Sequence, residues 1–268
     1  MDKQNGYEIP RTIHYVWLGG KRKSNEVKKC ILSWRKYCPD YKIVEWNENN
    51  YNFRKNQYIL EAYKAKKWAF VSDYARYDIL YHYGGIYLDT DVELVSKLDP
   101  LLYNQMFIGF LEDKRVASGL GLGSVAGNPI IKEILQYYDR RSFYKKNGDM
   151  DLRICNHNET NVLIRHGLKR NGKEQYLDCV HVYPRDYLNP EQGIPSINTI
   201  AIHHFNGSWT SVLHRTRRKK NGFFLRKFSQ KNAIRIIHIT DRLWDVLERI
   251  EKIKIRKLLV EFVRRKHD

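Results

Sequence analysis

The sequence is poor in cysteine and short of acids. Its four cysteines, Cys30, Cys38, Cys155 and Cys179, follow no zinc-ligand spacing and form no dense disulfide framework. Reduced thiols and a cytoplasmic setting are expected. No apolar run approaches the roughly 18 residues that a membrane-crossing helix requires. Met1 to Gly6 place no apolar core behind a basic start, so no secretory leader is expected. There is no internal repeat, low-complexity tract or clear linker before the last quarter of the chain. Hydrophobic residues make up 42% and charged residues 29% of the 268 positions. That balance excludes a disordered polyampholyte and a membrane-embedded chain, and the length suffices to bury a core.

Positive charge is abundant. Lys and Arg number 48 against 30 acids, a formal net charge of +18. Such an excess calls for an anionic partner: nucleic acid, an anionic membrane or a phosphorylated substrate. Residues 217–268 hold seventeen of the basic residues and six of the acids, a net +11. This tail opens with Arg217-Arg218-Lys219-Lys220 and Phe223-Phe224-Leu225. Ile236, Ile239, Leu243, Val246, Leu247, Ile250, Ile253, Leu258 and Phe262 then recur at helical spacing. The chain therefore divides into a core over 1–215 and a basic amphipathic helical tail over 216–268. The tail reads as docked on the core, or as lying on an anionic membrane with Phe223, Phe224 and Trp244 against it. Nucleic-acid binding would explain the charge, but the tail carries no recognisable nucleic-acid motif.

Strands and helices alternate through the first part, which predicts an α/β sheet with helices on its faces. Residues 9–18 read as a strand ending in the Gly19-Gly20 turn. Asn25 to Tyr37 reads as a helix broken by Pro39-Asp40, Tyr41 to Trp46 as a strand, and Gln57 to Lys66 as a helix. Residues 69–83 suit a helix stopped by Gly84-Gly85. Ile86-Tyr87-Leu88 is then a short strand that delivers Asp89 and Asp91 at its C-terminal end, where open α/β sheets bind ligands. Two adjacent carboxylates repel and lose hydration on burial, and a hard divalent cation relieves both penalties. Oxygen ligands suit Mn²⁺ or Mg²⁺ with positions left for a substrate's phosphates. Gly119-Leu120-Gly121-Leu122-Gly123-Ser124 reads as a flexible segment. It lacks the Lys of a phosphate-binding loop and is expected to shape a sugar or acceptor pocket, with Glu112 and Asp113 nearby.

Three segments together resemble a known family. Ala69 to Val92, Ile9-Pro10-Arg11-Thr12-Ile13-His14-Tyr15-Val16-Trp17, and Ala201-Ile202-His203-His204-Phe205-Asn206-Gly207-Ser208-Trp209 are similar to the motifs of the DXD glycosyltransferases of family 32. That family includes capsular polysaccharide enzymes and yeast initiating mannosyltransferases, and the glucosylating clostridial toxins are more distant relatives. The resemblance implies a GT-A fold, a divalent metal (Mn²⁺ or Mg²⁺), a nucleotide-sugar donor and retention of anomeric configuration. It implies that Val16 and Trp17 hold the nucleobase, and that Asp73 and Arg76 hold the ribose and sugar hydroxyls. Asp89 would reach the ribose and the metal, and Asp91 would bind the metal directly. Ser208 and Trp209 would donate to the departing phosphate. A third metal ligand is expected from His203 or His204, only one of which can face the metal from a strand. Counting back from Ser208-Trp209 favours His204. The resemblance departs at Asn158-Glu159-Thr160-Asn161-Val162, where many relatives carry a Thr-Gly-Pro turn.

The expected function is transfer of a hexose, galactose or glucose, from a UDP-sugar to a lipid-pyrophosphate-linked saccharide in bacterial surface-polysaccharide synthesis. The chain would sit peripherally at the inner face of the cell membrane. The alternatives are a basic nucleic-acid-binding protein and a nucleotide-sugar hydrolase.

Overall fold

The computed structural model describes residues 8–205 and, beyond them, 216, 220, 224, 227, 228, 232, 235–237 and 239–246. Residues 1–204 form one compact unit and 205–268 a second.

Local signals place the first elements. Strand β1 (Thr12–Val16) precedes helix α1 (Asn25–Tyr37), whose N-terminus is capped by the Ser24 hydroxyl accepting from the Val27 N–H. Strand β2 (Lys42–Trp46) and helix α2 (Gln57–Lys64) follow, with the Asn56 side chain capping α2. Helix α3 (Trp68–Tyr83) is buried almost all round, unlike a surface helix with one apolar stripe. It stops at Gly84 (φ +64°), and β3 (Gly85–Tyr87) begins at once.

The Gly84-Gly85 pair and the early Ile-His motif serve one junction. A Cβ on Gly85 would lie 2.7 Å from the Thr12 carbonyl and 2.8 Å from His14 Nε2. Trp46 Nε1 donates to His14 Nδ1 (3.1 Å), so the His14 Nε2 proton goes to the Gly84 carbonyl (3.0 Å). Burial, aided by Lys42, pushes the His14 imidazole down to about 4 against the pull of Gly84, and keeps it neutral for this role.

The remaining strands are β4 (Val92–Leu94), β5 (Met106–Glu112), β6 (Arg115–Ser124), β7 (Gln175–Leu177), β8 (Val180–Tyr183) and β9 (Ala201–His203). Helices α4 (Pro129–Asp139), α5 (Cys155–Arg165) and α6 (Arg185–Leu188) complete the core unit. Seven strands form one mixed sheet in the order β2-β1-β3-β6-β5-β8-β7, and β4 and β9 pair in a separate ribbon. The β2-β1-β3 block is parallel, so its C-terminal ends share one edge, and antiparallel β6 follows it.

One face of the sheet, through Tyr87, Met106, Ile108, Leu122 and Val182, packs against α2 to α5 in the larger core. On the other face the Trp34 ring of α1 meets Tyr15 edge-on at 5.5 Å, and Leu188 of α6 covers Gly109 and Gly121. The expected α/β sheet with helices on both faces is therefore present.

One expectation is corrected. The Gly119–Ser124 segment is not a flexible loop but the second half of buried β6. Its glycines are slots for neighbours: a Cβ on Gly123 would overlap the Phe107 ring, and one on Gly109 would stand 2.9 Å from Leu188. Asn158 to Val162, where the resemblance departs, lie within α5, with Glu159, Thr160 and Val162 buried.

In the second unit, residues 239–246 are helical. Lys220 Nζ pairs with Asp241 at 3.0 Å and lies 5.4 Å from the centre of the Trp244 ring.

Candidate functional site

The carboxylate pair leaves the sheet just after β3. The Leu88 N–H still bonds the His14 carbonyl, and the Val92 N–H then bonds the Asp89 carbonyl in a tight turn. Beyond this turn β4 pairs with β9, Val92 opposite His203. This pairing carries a histidine to the aspartates from the far end of the unit. Ligand atoms of Asp89, Asp91 and His203 all lie within 4.8 Å of one another. His203 Nε2 is 3.1 Å from Asp91 Oδ1 and 3.8 Å from Asp89 Oδ2. Burial disfavours charge on His203, but Asp91 and Asp89 outweigh it and raise the imidazole to about 9. A cation entering here would displace that proton and take over its role between the carboxylates.

The third residue of the cluster is thus His203, and the expectation of His204 is corrected. His204 keeps its backbone N–H on the Asp91 carbonyl (2.9 Å) but sends Nε2 to Glu93 Oε2 at 2.8 Å. Neighbouring strand residues face opposite ways, and the β4-β9 register decides which faces the pair.

Asp73 and Arg76, one helical turn apart on α3, meet the same carboxylate. Arg76 Nη2 contacts Asp73 Oδ1 at 3.0 Å and Asp89 Oδ1 at 3.2 Å. Its Nη1 donates to Ser118 Oγ (3.0 Å) and its Nε to the Ser72 carbonyl (3.1 Å). Only 4% exposed, the guanidinium is committed to protein acceptors and acts here as the organiser of Asp89. Burial raises the Asp73 carboxyl against the lowering pull of Arg76. Tyr87 donates its hydroxyl to Asp89 Oδ1 at 3.1 Å.

Gly119 completes the cradle. A Cβ there would overlap Asp89 Oδ2 and stand 3.3 Å from Arg76 Nη1. Sequence reasoning missed Ser118 and Tyr87 as members of this site, placed Gly119 in a pocket-shaping segment without linking it to Asp89, and named His203 only as the alternative to His204. A glycine inside a strand does mark a close approach, and that was the one signal available for Gly119.

Trp17 follows β1 at the same edge of the sheet. It lines a cavity of about 460 Å³ with Lys21, Arg22, Lys23, Lys28, Glu45, Asn47 and Glu48 among its walls. The indole N–H is fixed on the Lys21 carbonyl (2.8 Å), and Lys23 Nζ lies 5.5 Å from the ring centre. The Gly19 N–H donates to Glu48 (2.7 Å) and ties the turn to the other wall. Val16 packs against the larger core. Ser208 and Trp209 lie outside the described residues.

A family model described as the glycosyltransferase sugar-binding region containing the DXD motif matches residues 24–108, which include Asp89 and Asp91. The chain is 30% identical over 147 residues to inositol phosphoceramide mannosyltransferase 3 of Schizosaccharomyces pombe, covering 50% of this chain and 38% of that protein. It therefore spans less than two fifths of that relative's length. It is 29% identical over 188 residues to an uncharacterized glycosyltransferase, L373, of Acanthamoeba polyphaga mimivirus, covering 68% of this chain and 73% of that one. Among solved structures it is similar to the PaToxG glycosyltransferase, with a TM-score of 0.46 and 21% identity over 59% of this chain and 70% of the other. The match to the model of the DXD-containing sugar-binding region thus lies across the Asp-x-Asp pair and the strand that delivers it.

Proposed function

We propose that this chain transfers a hexose, with retention, from a nucleoside diphosphate sugar to a hydroxyl on a phosphate-bearing lipid headgroup. The observation that carries the reading is the Asp89–Asp91–His203 cluster at the same sheet edge as a cationic cavity. Two carboxylates and an imidazole suit Mn²⁺ or Mg²⁺, and the space that Gly119 leaves for Asp89 fits a site built for a ligand. A divalent cation held there supplies Lewis-acid stabilisation of a departing diphosphate.

The chain's own groups do the rest. Trp17 offers an indole face to a nucleobase. Lys21, Arg22, Lys23 and Lys28 draw the diphosphate into the cavity. Arg76 holds Asp89 in place, and Ser208 and Trp209 are assigned to the leaving phosphate on the family resemblance. The sheet is read as the GT-A type on the same ground.

Donor and acceptor follow from two leads. The sequence resemblance suggests UDP-galactose or UDP-glucose and a lipid-pyrophosphate-linked saccharide. The fungal relative's name gives mannose and inositol phosphoceramide. Both acceptors carry phosphate on lipid, which agrees with a net charge of +18. The test is a screen of UDP-galactose, UDP-glucose and GDP-mannose with Mn²⁺ or Mg²⁺, scoring nucleotide release with and without phospholipid-linked acceptors. Metal-dependent release that rises with acceptor is expected. Release that ignores the acceptor would mark a hydrolase, and no release from any donor would end the reading.

The tail supports a peripheral seat at an anionic leaflet, at the inner membrane face. Among the described residues no helix is long and apolar enough to cross a membrane. Ile239, Leu243 and Val246 form an exposed stripe at i, i+4 and i+7, 63%, 68% and 53% accessible, while Ile237 and Asp241 are buried. Leu243→Asp should weaken binding to phosphatidylglycerol vesicles by about tenfold or more, since seating a leucine in lipid is worth about 1.5–3 kcal/mol. Sedimentation that is unchanged for this variant and for a chain lacking residues 217–268 would remove the membrane assignment.

A further inference from the structure

A fully buried carboxylate stands behind the Asp89 side of the cluster. Glu159, on α5, has no solvent exposure. Its Oε2 accepts from the Tyr77 hydroxyl, and its Oε1 accepts from the Ser118 backbone N–H at 3.1 Å. Burial raises this carboxyl, while Tyr77 and Ser118 act to lower it. Packing alone does not call for an acid here, because apolar replacement of buried polar clusters is often neutral or stabilising.

The acid does have a route to the site. Ser118 Oγ lies 3.0 Å from the Tyr77 hydroxyl and 3.0 Å from Arg76 Nη1. Arg76 Nη2 in turn holds Asp89. Hydrogen-bond direction ties these contacts together. A carboxylate only accepts, so the single Tyr77 proton is spent on Glu159. The Ser118 hydroxyl must then give its own proton toward Tyr77 or Glu159, which leaves a lone pair for Arg76 Nη1. From Arg76 Nη1 inward every donor points toward Glu159, while Arg76 Nη2 points the other way, to Asp89.

We propose that Glu159 is a positioning residue: through Tyr77 and Ser118 it fixes the Arg76 guanidinium, and through Arg76 it holds the Asp89 carboxylate ready for the divalent cation. This inference rests on the metal-dependent reading above. Glu159→Gln keeps the size but must present an amide NH₂ to one of two donors. The repair available is reversal, with Tyr77 donating to Ser118 and the serine proton turned on the guanidinium.

The experiment is calorimetric titration of the full chain with Mn²⁺. Outer-shell partners of metal ligands typically account for 10–100-fold in affinity, so Glu159→Gln should weaken Mn²⁺ binding by roughly that factor. Raising Mn²⁺ should restore its nucleotide release. Ser118→Ala, which cuts the line while leaving the Ser118 N–H on Glu159, should weaken binding in the same direction. The double variant should lose no more than the weaker single variant, because the two residues act as one unit. A folded Glu159→Gln chain with wild-type Mn²⁺ affinity overturns the proposal. If that variant does not fold, unchanged affinity in Ser118→Ala overturns it. Asp91→Asn separates the two readings. If Asp91→Asn binds Mn²⁺ as the wild type does, the metal reading itself fails. If it does not bind while Glu159→Gln stays wild-type, the role of Glu159 alone is lost.

Discussion

Replacing Asp91 with asparagine is expected to reduce metal-dependent nucleotide release on the order of 10²- to 10⁴-fold, the factor that several kcal/mol of lost charge stabilisation represents. Asp91 gives the cluster its closest contact to His203, 3.1 Å, and an amide oxygen is a poorer ligand for a hard cation than a carboxylate. The substitution also removes the main charge partner of the buried His203 imidazole, so the cation-free variant should melt below the wild type, and each protein is compared with its own cation-free melting point. The decisive measurement is the melting shift on adding Mn²⁺. A ligand at a hundred times its Kd stabilises the folded state by about 2.7 kcal/mol, which is a clear rise in Tm. Wild type should show that rise and Asp91→Asn should not. A variant that keeps both the shift and full turnover would mean that the cation sits elsewhere.

Gly119→Ala is expected to match this loss of function while keeping every acidic ligand in the chain. The added methyl would overlap Asp89 Oδ2 and press on Arg76 Nη1 at 3.3 Å. Both groups are already held in hydrogen bonds, Asp89 by Tyr87 and Arg76 by Ser118 and Ser72. The carboxylate must therefore turn away or β6 must shift. Overpacking of this kind costs about 1–3 kcal/mol of stability. Misorienting the Asp89 carboxylate should weaken Mn²⁺ binding by roughly 10–100-fold, the scale at which ligand orientation is tuned. Denaturant unfolding and Mn²⁺ titration on the same sample separate the two effects. Retained Mn²⁺ affinity would show that Asp89 has room the structure does not show. Gly127→Ala is the control, since nothing lies within 4 Å of its added Cβ and only its positive φ is strained.

The legible parts of the sequence were those whose cause is local. Helix α1 runs from Asn25 to Tyr37 as read, because Ser24 caps it and Val27, Cys30 and Trp34 repeat at helical spacing. The Gly84-Gly85 stop and the apolar triplet after it were enough to bring Asp89 and Asp91 to a strand end. The glycines of β6 misled for a physical reason. Glycine signals freedom in an isolated chain, yet in a paired strand the same missing Cβ admits a neighbour, here Phe107, Leu188 or Asp89. Glu159 carried no signal at all, since a helical acid reads as solvated until α5 is packed onto β6.

The sequence by itself determined the alternation of elements, the basic tail and the acidic pair at a strand end. These depend on spacing within a helical turn or along one strand, which a linear pattern records. The tertiary structure decided which imidazole joins the pair and what holds the pair in place. His203 and His204 differ by one step of strand alternation, and pairing with a strand from a distant part of the chain sets that step. The line from Glu159 to Asp89 joins α5, α3 and β6 by hydrogen bonds whose direction exists only once the three are packed together.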